Sequence, residues 1–212
     1  MDEVKKIKYT SYTAGAIEAA SSKEMKTWRQ EVRDRLASPD LTIYDPVEQE
    51  SLKVGRPSIN QVEYIRGLKQ GGHWEKFAEE MEKIWWGTID THKLDRMRLM
   101  IYLFEKARIE GNYPTDLKYW GDYEAVVRSD FIIVYLPKDT KTIGTLFEIH
   151  TAYLLGIPIY LVLPDQTRTD ANSTLIDVVM KSNGEVFYDV KSSCDYIREK
   201  YKLKEVKQEE KK

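Results

Sequence analysis

The sequence of 212 residues has a single cysteine, Cys194. One thiol excludes an intramolecular disulfide framework and any multi-cysteine metal site, and it fits a reducing cytoplasm. Neither charge is in excess, since 33 Lys and Arg against 35 Asp and Glu leave a net charge of −2. No broad field attracts nucleic acid or an anionic membrane, so neither is expected as a partner. Long apolar runs are missing as well. Phe131–Leu136 and Ile157–Leu163 fall far short of the roughly 20 residues that cross a bilayer. The charged opening Met1–Lys8 lacks the apolar stretch of a signal peptide, and the expected location is cytoplasmic. Several catalytic signatures are absent: no GxGxxG, no phosphate-binding GxxxxGK[ST], no GxSxG and no HExxH. His73, His92 and His150 are scattered, so no metal and no cofactor is expected.

What is present describes a globular chain that takes a small ligand. Apolar residues make up 42% and charged residues 32%, which excludes disorder and points to one large domain. At this size folding buries roughly 70% of the unfolded surface. The 14 Tyr and 5 Trp are the unusual component. Aromatic rings pack cores and subunit contacts, and some stack on planar ligands.

Strands are expected at Ile7–Tyr12, Leu41–Tyr44, Phe131–Leu136, Ile159–Leu163 and Glu185–Tyr188. Helical spacing is read after the cap signal Ser21-Ser22, through Met25, Trp28, Val32 and Leu36. Further helices are expected at Leu117–Arg128, Thr145–Leu155, Thr174–Lys181 and Ser192–Tyr201. Strands apolar on both faces and alternating with helices predict a doubly wound, mainly parallel five-stranded sheet, flavodoxin-like or Rossmann-like. Residues 1–201 read as one α/β domain, and 202–212 as a charged C-terminal tail. A helical insertion occupies about 47–114, with helices near Ile59–Lys69, Trp74–Trp86 and Lys93–Ile109. The insertion is a lid, a subunit contact or, through Trp74, Trp85, Trp86 and Tyr102, a partner-binding module; aromatics at helical spacing also serve internal packing.

Ligands of open parallel sheets sit outside the carboxyl ends of the strands. That rule selects the loops Tyr12–Ala20, Pro137–Thr145 and Pro164–Ser173. Glu148 is expected in the first helical turn after the second of these, where the helix dipole would keep it ionised at neutral pH. Such a carboxylate can attack the anomeric carbon of a sugar. Thr145-x-x-Glu148 is equally a capping box, in which the glutamate bonds back to the helix start and does nothing else. Asp122, early in a helix whose N-terminus lies on the ligand side, can approach Glu148, or is an ordinary first-turn acid. Asp130 reads as a turn residue at the far end of its strand.

Three pieces together resemble the nucleoside 2-deoxyribosyltransferase family and related nucleoside and nucleotide N-glycosidases. They are Tyr12-Thr13-Ala14-Gly15, then Asp122 with Ser129-Asp130-Phe131-Ile132-Ile133-Val134, then Gly144-Thr145-Leu146-Phe147-Glu148-Ile149. Ala152 and Gly156-Ile157-Pro158-Ile159 continue the likeness, which covers roughly 7–45 and 116–190. The resemblance implies an enzyme that cleaves the N-glycosidic bond of a 2′-deoxynucleoside or nucleotide and passes the sugar to another base or to water. It implies Glu148 as nucleophile, Asp122 as the acid that handles the leaving base, and Tyr12 as the residue steadying the carboxylate. Two carboxyls working with retention are expected roughly 5–5.5 Å apart. Substrate contacts are implied at Gly15, Ala16, Thr142, Gly144 and Asn172, the last toward a neighbouring subunit of a homo-oligomer. Thr142 stands where family members often have an acid, and Lys141 beside it suits a 5′-phosphate. Gly15-Ala16-Ile17-Glu18 stands where the family more usually has a proline-containing or glycine-rich loop, so Glu18 reads as a solvated side chain. The alternative is a non-catalytic nucleotide-binding or sensing domain on the same scaffold.

Overall fold

Five short segments rich in β-branched and aromatic residues become strands because both their faces can be buried. In the computed structural model they are β1 (Tyr9–Gly15), β2 (Leu41–Tyr44), β3 (Phe131–Tyr135), β4 (Ile159–Val162) and β5 (Glu185–Phe187). They form one all-parallel sheet in the order β2-β1-β3-β4-β5, a flavodoxin-like, Rossmann-like doubly wound arrangement. The structure describes residues 7–17, 22–53, 58–87, 95–110, 120–140, 142–167 and 169–205; at 22–25, 50–53, 58–62 and 110 it describes the backbone alone. Readings that rested on Glu18, Ser21, the Met25 side chain, His92, Lys141, Leu117–Tyr119 and the tail beyond 205 lie outside the described residues.

Alternation along each strand sends side chains to two separate cores. Phe131, Ile133, Tyr160 and Val162 face α1 (Ser22–Leu36) and α9 (Val190–Tyr201), packing on Trp28, Val32, Leu36, Cys194 and Ile197. Tyr12, Ala14, Ile132, Val134, Ile159 and Leu161 face the other way. They meet α6 (Asp122–Val127), α7 (Ile143–Leu154) and α8 (Ser173–Lys181) through Ala125, Val126, Ile149, Ala152 and Val179. Each fully buried Ile or Val side chain contributes about 1.5–3 kcal/mol, so both faces hold the sheet.

Between β2 and β3 run α2 (Pro46–Lys53), α3 (Ser58–Gln70), α4 (Trp74–Trp86) and α5 (Arg96–Glu110), with no strand among the described residues. Pro46, which ends β2, also opens α2, because a proline is tolerated at the first helical position. Trp86, Leu99, Leu103, Ala107 and Val127 bury the α4–α5 pair against α6. Of the insertion's aromatics, Trp86 is buried and Trp85 packs beside it, whereas Trp74 and Tyr102 are exposed. Among the described residues, no helix is long and apolar enough to cross a membrane.

Three of the boundaries that differ from expectation bear on the site. β1 continues to Gly15, so Tyr12 and Gly15 are strand residues rather than loop residues. Gly121 precedes α6, which starts at Asp122 and not earlier among the described residues. The helix after β3 starts at Ile143 because Thr142, not Thr145, caps it; the Thr142 side chain accepts from the Thr145 amide.

Candidate functional site

The strand order places the point of reversal between β1 and β3, the crevice where open α/β sheets hold ligands. Tyr12, the fourth residue of β1, pairs in register with Tyr44 of β2 and Ile132 of β3. Its side chain points to the α6–α7 face and is fully buried. The ring stacks on Tyr44 at 5.6 Å, and Tyr44 stacks on Trp120 at 6.3 Å. The Tyr44 hydroxyl donates to the Trp120 carbonyl at 3.0 Å. This column fixes the direction of the Tyr12 hydroxyl, which donates to Glu148 Oε1 at 2.6 Å. Burial pushes the Tyr12 phenol well above its usual range, helped by the nearby Asp122 and Glu148 carboxyls, so it remains a donor.

Glu148 is half-buried, with its carboxyl turned inward to Tyr12. It is the sixth residue of α7, one turn deeper than expected, and the dipole effect fades within the first turn. The expectation that it is ionised by the helix end is therefore overturned. Burial first, and the Asp122 charge second, push its carboxyl up to about 8, against the lowering influence of the Tyr12 hydrogen bond and Arg29. The capping-box reading is overturned too, since Thr142 serves as the cap and Glu148 bonds to Tyr12.

Asp122 is buried at the first position of α6. Its charge acts on the Glu148 carboxyl and disfavours a second negative charge beside it. The neighbouring Tyr123 is half-buried against Trp85 and Trp86. Its hydroxyl is raised by burial and by both carboxyls, and lowered by Arg96 of α5. The insertion thus forms one wall of the site. Gly121 permits this approach, because a Cβ there would lie 2.3 Å from the Trp85 carbonyl oxygen.

The other sequence-derived candidates lie around this centre with different roles. Gly15 ends β1 under the Trp28 ring, where a Cβ would sit 2.8 Å from Trp28 Cζ2. Ala16 is buried beyond it. Thr142 is half-buried, and its hydroxyl bonds to the Thr145 hydroxyl at 2.6 Å. Gly144 is exposed with open space about its Cα. Asn172 is exposed and caps α8, its oxygen accepting from the Leu175 amide at 3.1 Å. Asp130 lies at the opposite end of the sheet, as expected, and its carboxylate accepts from the Thr10 amide of β1 at 2.7 Å. His73 and His150 are exposed, and among the described residues no group of His, Cys, Asp and Glu could hold a metal.

Sequence reasoning passed over Tyr44, Asp45, Trp120, Tyr123 and Arg29. Asp45 follows β2 and falls under the carboxyl-end rule, which was applied only to the other loops. Arg29 offers no such signal, since an arginine beside a buried tryptophan on a helix ordinarily snorkels to solvent. No family model matches the chain, and no curated protein is similar to it in sequence.

Proposed function

We propose that the protein is a nucleoside 2-deoxyribosyltransferase-like enzyme acting on the N-glycosidic bond of a 2′-deoxynucleoside or its nucleotide. The observation that carries this reading is the 2.6 Å hydrogen bond from buried Tyr12 to Glu148, beside buried Asp122, at the crevice between β1 and β3. One proton shared by two carboxyls is what double displacement requires. Glu148, whose raised carboxyl holds a proton near neutrality, passes it to Asp122 and attacks C1′ as the carboxylate, and the bond from C1′ to the base nitrogen breaks. The bonding pair goes to the base, which takes the Asp122 proton because an unprotonated base leaves poorly. The sugar is then held as a glycosyl ester of Glu148. A second base, or water, attacks C1′ and the ester bond breaks. Asp122 recovers a proton from the incoming nucleophile, and configuration at C1′ is retained. Tyr12 supports the carboxylate by donating to it, and a half-exposed Tyr123 ring offers a planar base a partner for stacking.

No cofactor enters this scheme. We further propose a homo-oligomer, supported by apolar side chains exposed on α5 and α7, and a reducing cytoplasmic setting, which suits the buried thiol of Cys194. Deoxyinosine incubated with free adenine tests the enzyme reading by mass analysis of products. Deoxyadenosine and hypoxanthine, or deoxyribose and hypoxanthine, are expected from the native protein and not from Glu148→Ala. Equal activity in both proteins would remove Glu148 from the reaction. A nucleotide that raises the melting temperature while no base is released from any deoxynucleoside or monophosphate would favour a binding domain instead.

A further inference from the structure

Tyr44 is fully buried at the end of β2, and it connects the elements that carry the two carboxyls. On one side it is fixed to the strand of Tyr12. The two tyrosines are register partners, their rings stack at 5.6 Å, and the Thr13 hydroxyl donates to the Tyr44 carbonyl at 3.3 Å. On the other side the Tyr44 hydroxyl donates to the Trp120 carbonyl at 3.0 Å, two residues before Asp122. Trp120 is bound in turn to α6. The guanidinium of Arg128, at the far end of that helix, lies 4.8 Å from the centre of the Trp120 ring. Arg128 donates to Glu124 Oε1 at 3.0 Å, and Lys106 of α5 reaches the same oxygen at 3.0 Å.

Packing alone asks for less than this. A phenylalanine would fill the same space and keep both ring stacks. What the hydroxyl adds is a bond to one backbone carbonyl, at the entry to the helix that Asp122 opens. Two carboxyls placed together repel when both are charged, so Asp122 stays near Glu148 only if its backbone is held. Glu148 is held from β1 by the Tyr12 hydroxyl, and α6 and α7 share one core with Tyr12 through Ala125, Val126, Ile149 and Ala152. Tyr44 ties the start of α6 to the strand partner of that same tyrosine. The spacing matters to the proposed reaction, in which a proton goes from Glu148 to Asp122 and on to the base.

We propose that Tyr44 is a positioning residue whose hydrogen bond to Trp120 holds the start of α6, and with it Asp122, close to Glu148. This deepens the glycosyl-transfer reading and rests on it for its purpose, because the acid must stand where it can take and deliver that proton. The placement itself is measurable without any substrate.

The test is a carboxyl-carbon NMR titration of the full chain labelled in glutamate, with the Glu148 signal assigned by its loss in Glu148→Gln. Tyr44→Phe keeps the ring and removes the tie to Trp120. The carboxyls then separate, the Asp122 charge weighs less on Glu148, and the Glu148 midpoint is expected to fall by about half a unit. In an Asp122→Asn background there is no charge to hold, and the same substitution should leave the midpoint in place. No fall in Tyr44→Phe, or an equal fall with and without the Asp122 charge, would overturn the proposal. If Tyr44→Phe does not fold, Trp120→Leu decides, since it removes the ring that Tyr44 stacks on and keeps the carbonyl. A fall then supports the assignment and no change refutes it. With substrate, Tyr44→Phe is expected to slow release of hypoxanthine from deoxyinosine about tenfold or more. Release from 7-methyl-2′-deoxyguanosine should slow much less, because its cationic base departs without a proton. Equal slowing of both would refute the placement of the acid. Absence of glycosidic cleavage by the native protein would count against the enzyme reading alone, because the midpoints need no turnover.

Discussion

A phenol hydrogen-bonded to a carboxyl group matters most when that carboxyl is charged, because charge-assisted bonds are about twice as strong as neutral ones. Tyr12→Phe removes the donor and leaves the ring stack with Tyr44 in place. A bond of about 1.5–3 kcal/mol to a charged group corresponds to a roughly ten- to hundredfold loss of deoxyribosyl transfer, read from initial rates. The Glu148 midpoint should rise further in the same variant, because the Tyr12 bond lowers it. Glu148 also shapes stability. Its carboxyl titrates near 4.5 when unfolded and near 8 when folded. Below 4.5 both states hold the proton, and between the two values only the folded state does. Its contribution is therefore fully present at low pH and is lost as pH climbs toward 8, by up to about 1.4 kcal/mol per unit. Melting temperatures of Glu148→Gln should lack this decline. Parallel profiles for the two proteins would show that the carboxyl is not raised.

At the scale of elements, the sheet was legible in the sequence and the helix starts were less so. Continuous apolar runs such as Phe131–Tyr135 and Ile159–Val162 declare buried parallel strands, and their boundaries shifted by only one residue. The start of α7 moved because Thr142 and Thr145 are both competent caps, and only tertiary packing of Ile149 and Ala152 selects the register. That shift changed the chemistry, taking Glu148 from the helix dipole to Tyr12. Asp122 and Glu148 were nameable as candidates from their expected places at helix starts on the ligand side of the sheet, and Tyr12 only through the resemblance to the deoxyribosyltransferase family. Arg29 was not, since its burial depends on α1 being pressed against Gly15 by a core assembled from distant segments. The contact between α4 and α6 is another such feature. Gly121→Ala would place a methyl against the Trp85 carbonyl and the Gly87 amide, 2.3 and 2.5 Å from the new carbon. Prying α4 from α6 should cost about 1–3 kcal/mol in urea unfolding and weaken transfer by displacing Asp122. Native stability in that variant would show that the insertion docks elsewhere.

For the molecule as a whole, apolar exposure is concentrated on two helices that flank α6. Met97, Ile101 and Phe104 of α5, together with Ile143, Leu146, Phe147 and Leu154 of α7, are exposed. The spacing of Met97, Ile101 and Phe104 gives α5 a second apolar stripe opposite its buried Leu99 and Leu103. Exposed apolar side chains of this kind are what the proposed homo-oligomer would bury. Sedimentation should give a mass of at least twice 24.9 kDa, falling to a single chain in a Phe147→Ser, Ile101→Ser double variant. A monomeric native protein would refute this.

The long crossover between β2 and β3 also orders the events of folding. Thr10 and Asp130, which bond to each other, are 120 positions apart, and Tyr12 and Glu148 are 136 apart. Contacts of such separation form slowly, while β3 through α9 are joined by short links. The C-terminal half can therefore assemble first, with β1 inserting between β2 and β3 afterwards. The hydrogen bond on which the proposed chemistry depends then belongs to the last step of folding. In a refolding experiment, helical circular dichroism should recover ahead of the Glu148 titration, so the site reports that the chain has finished.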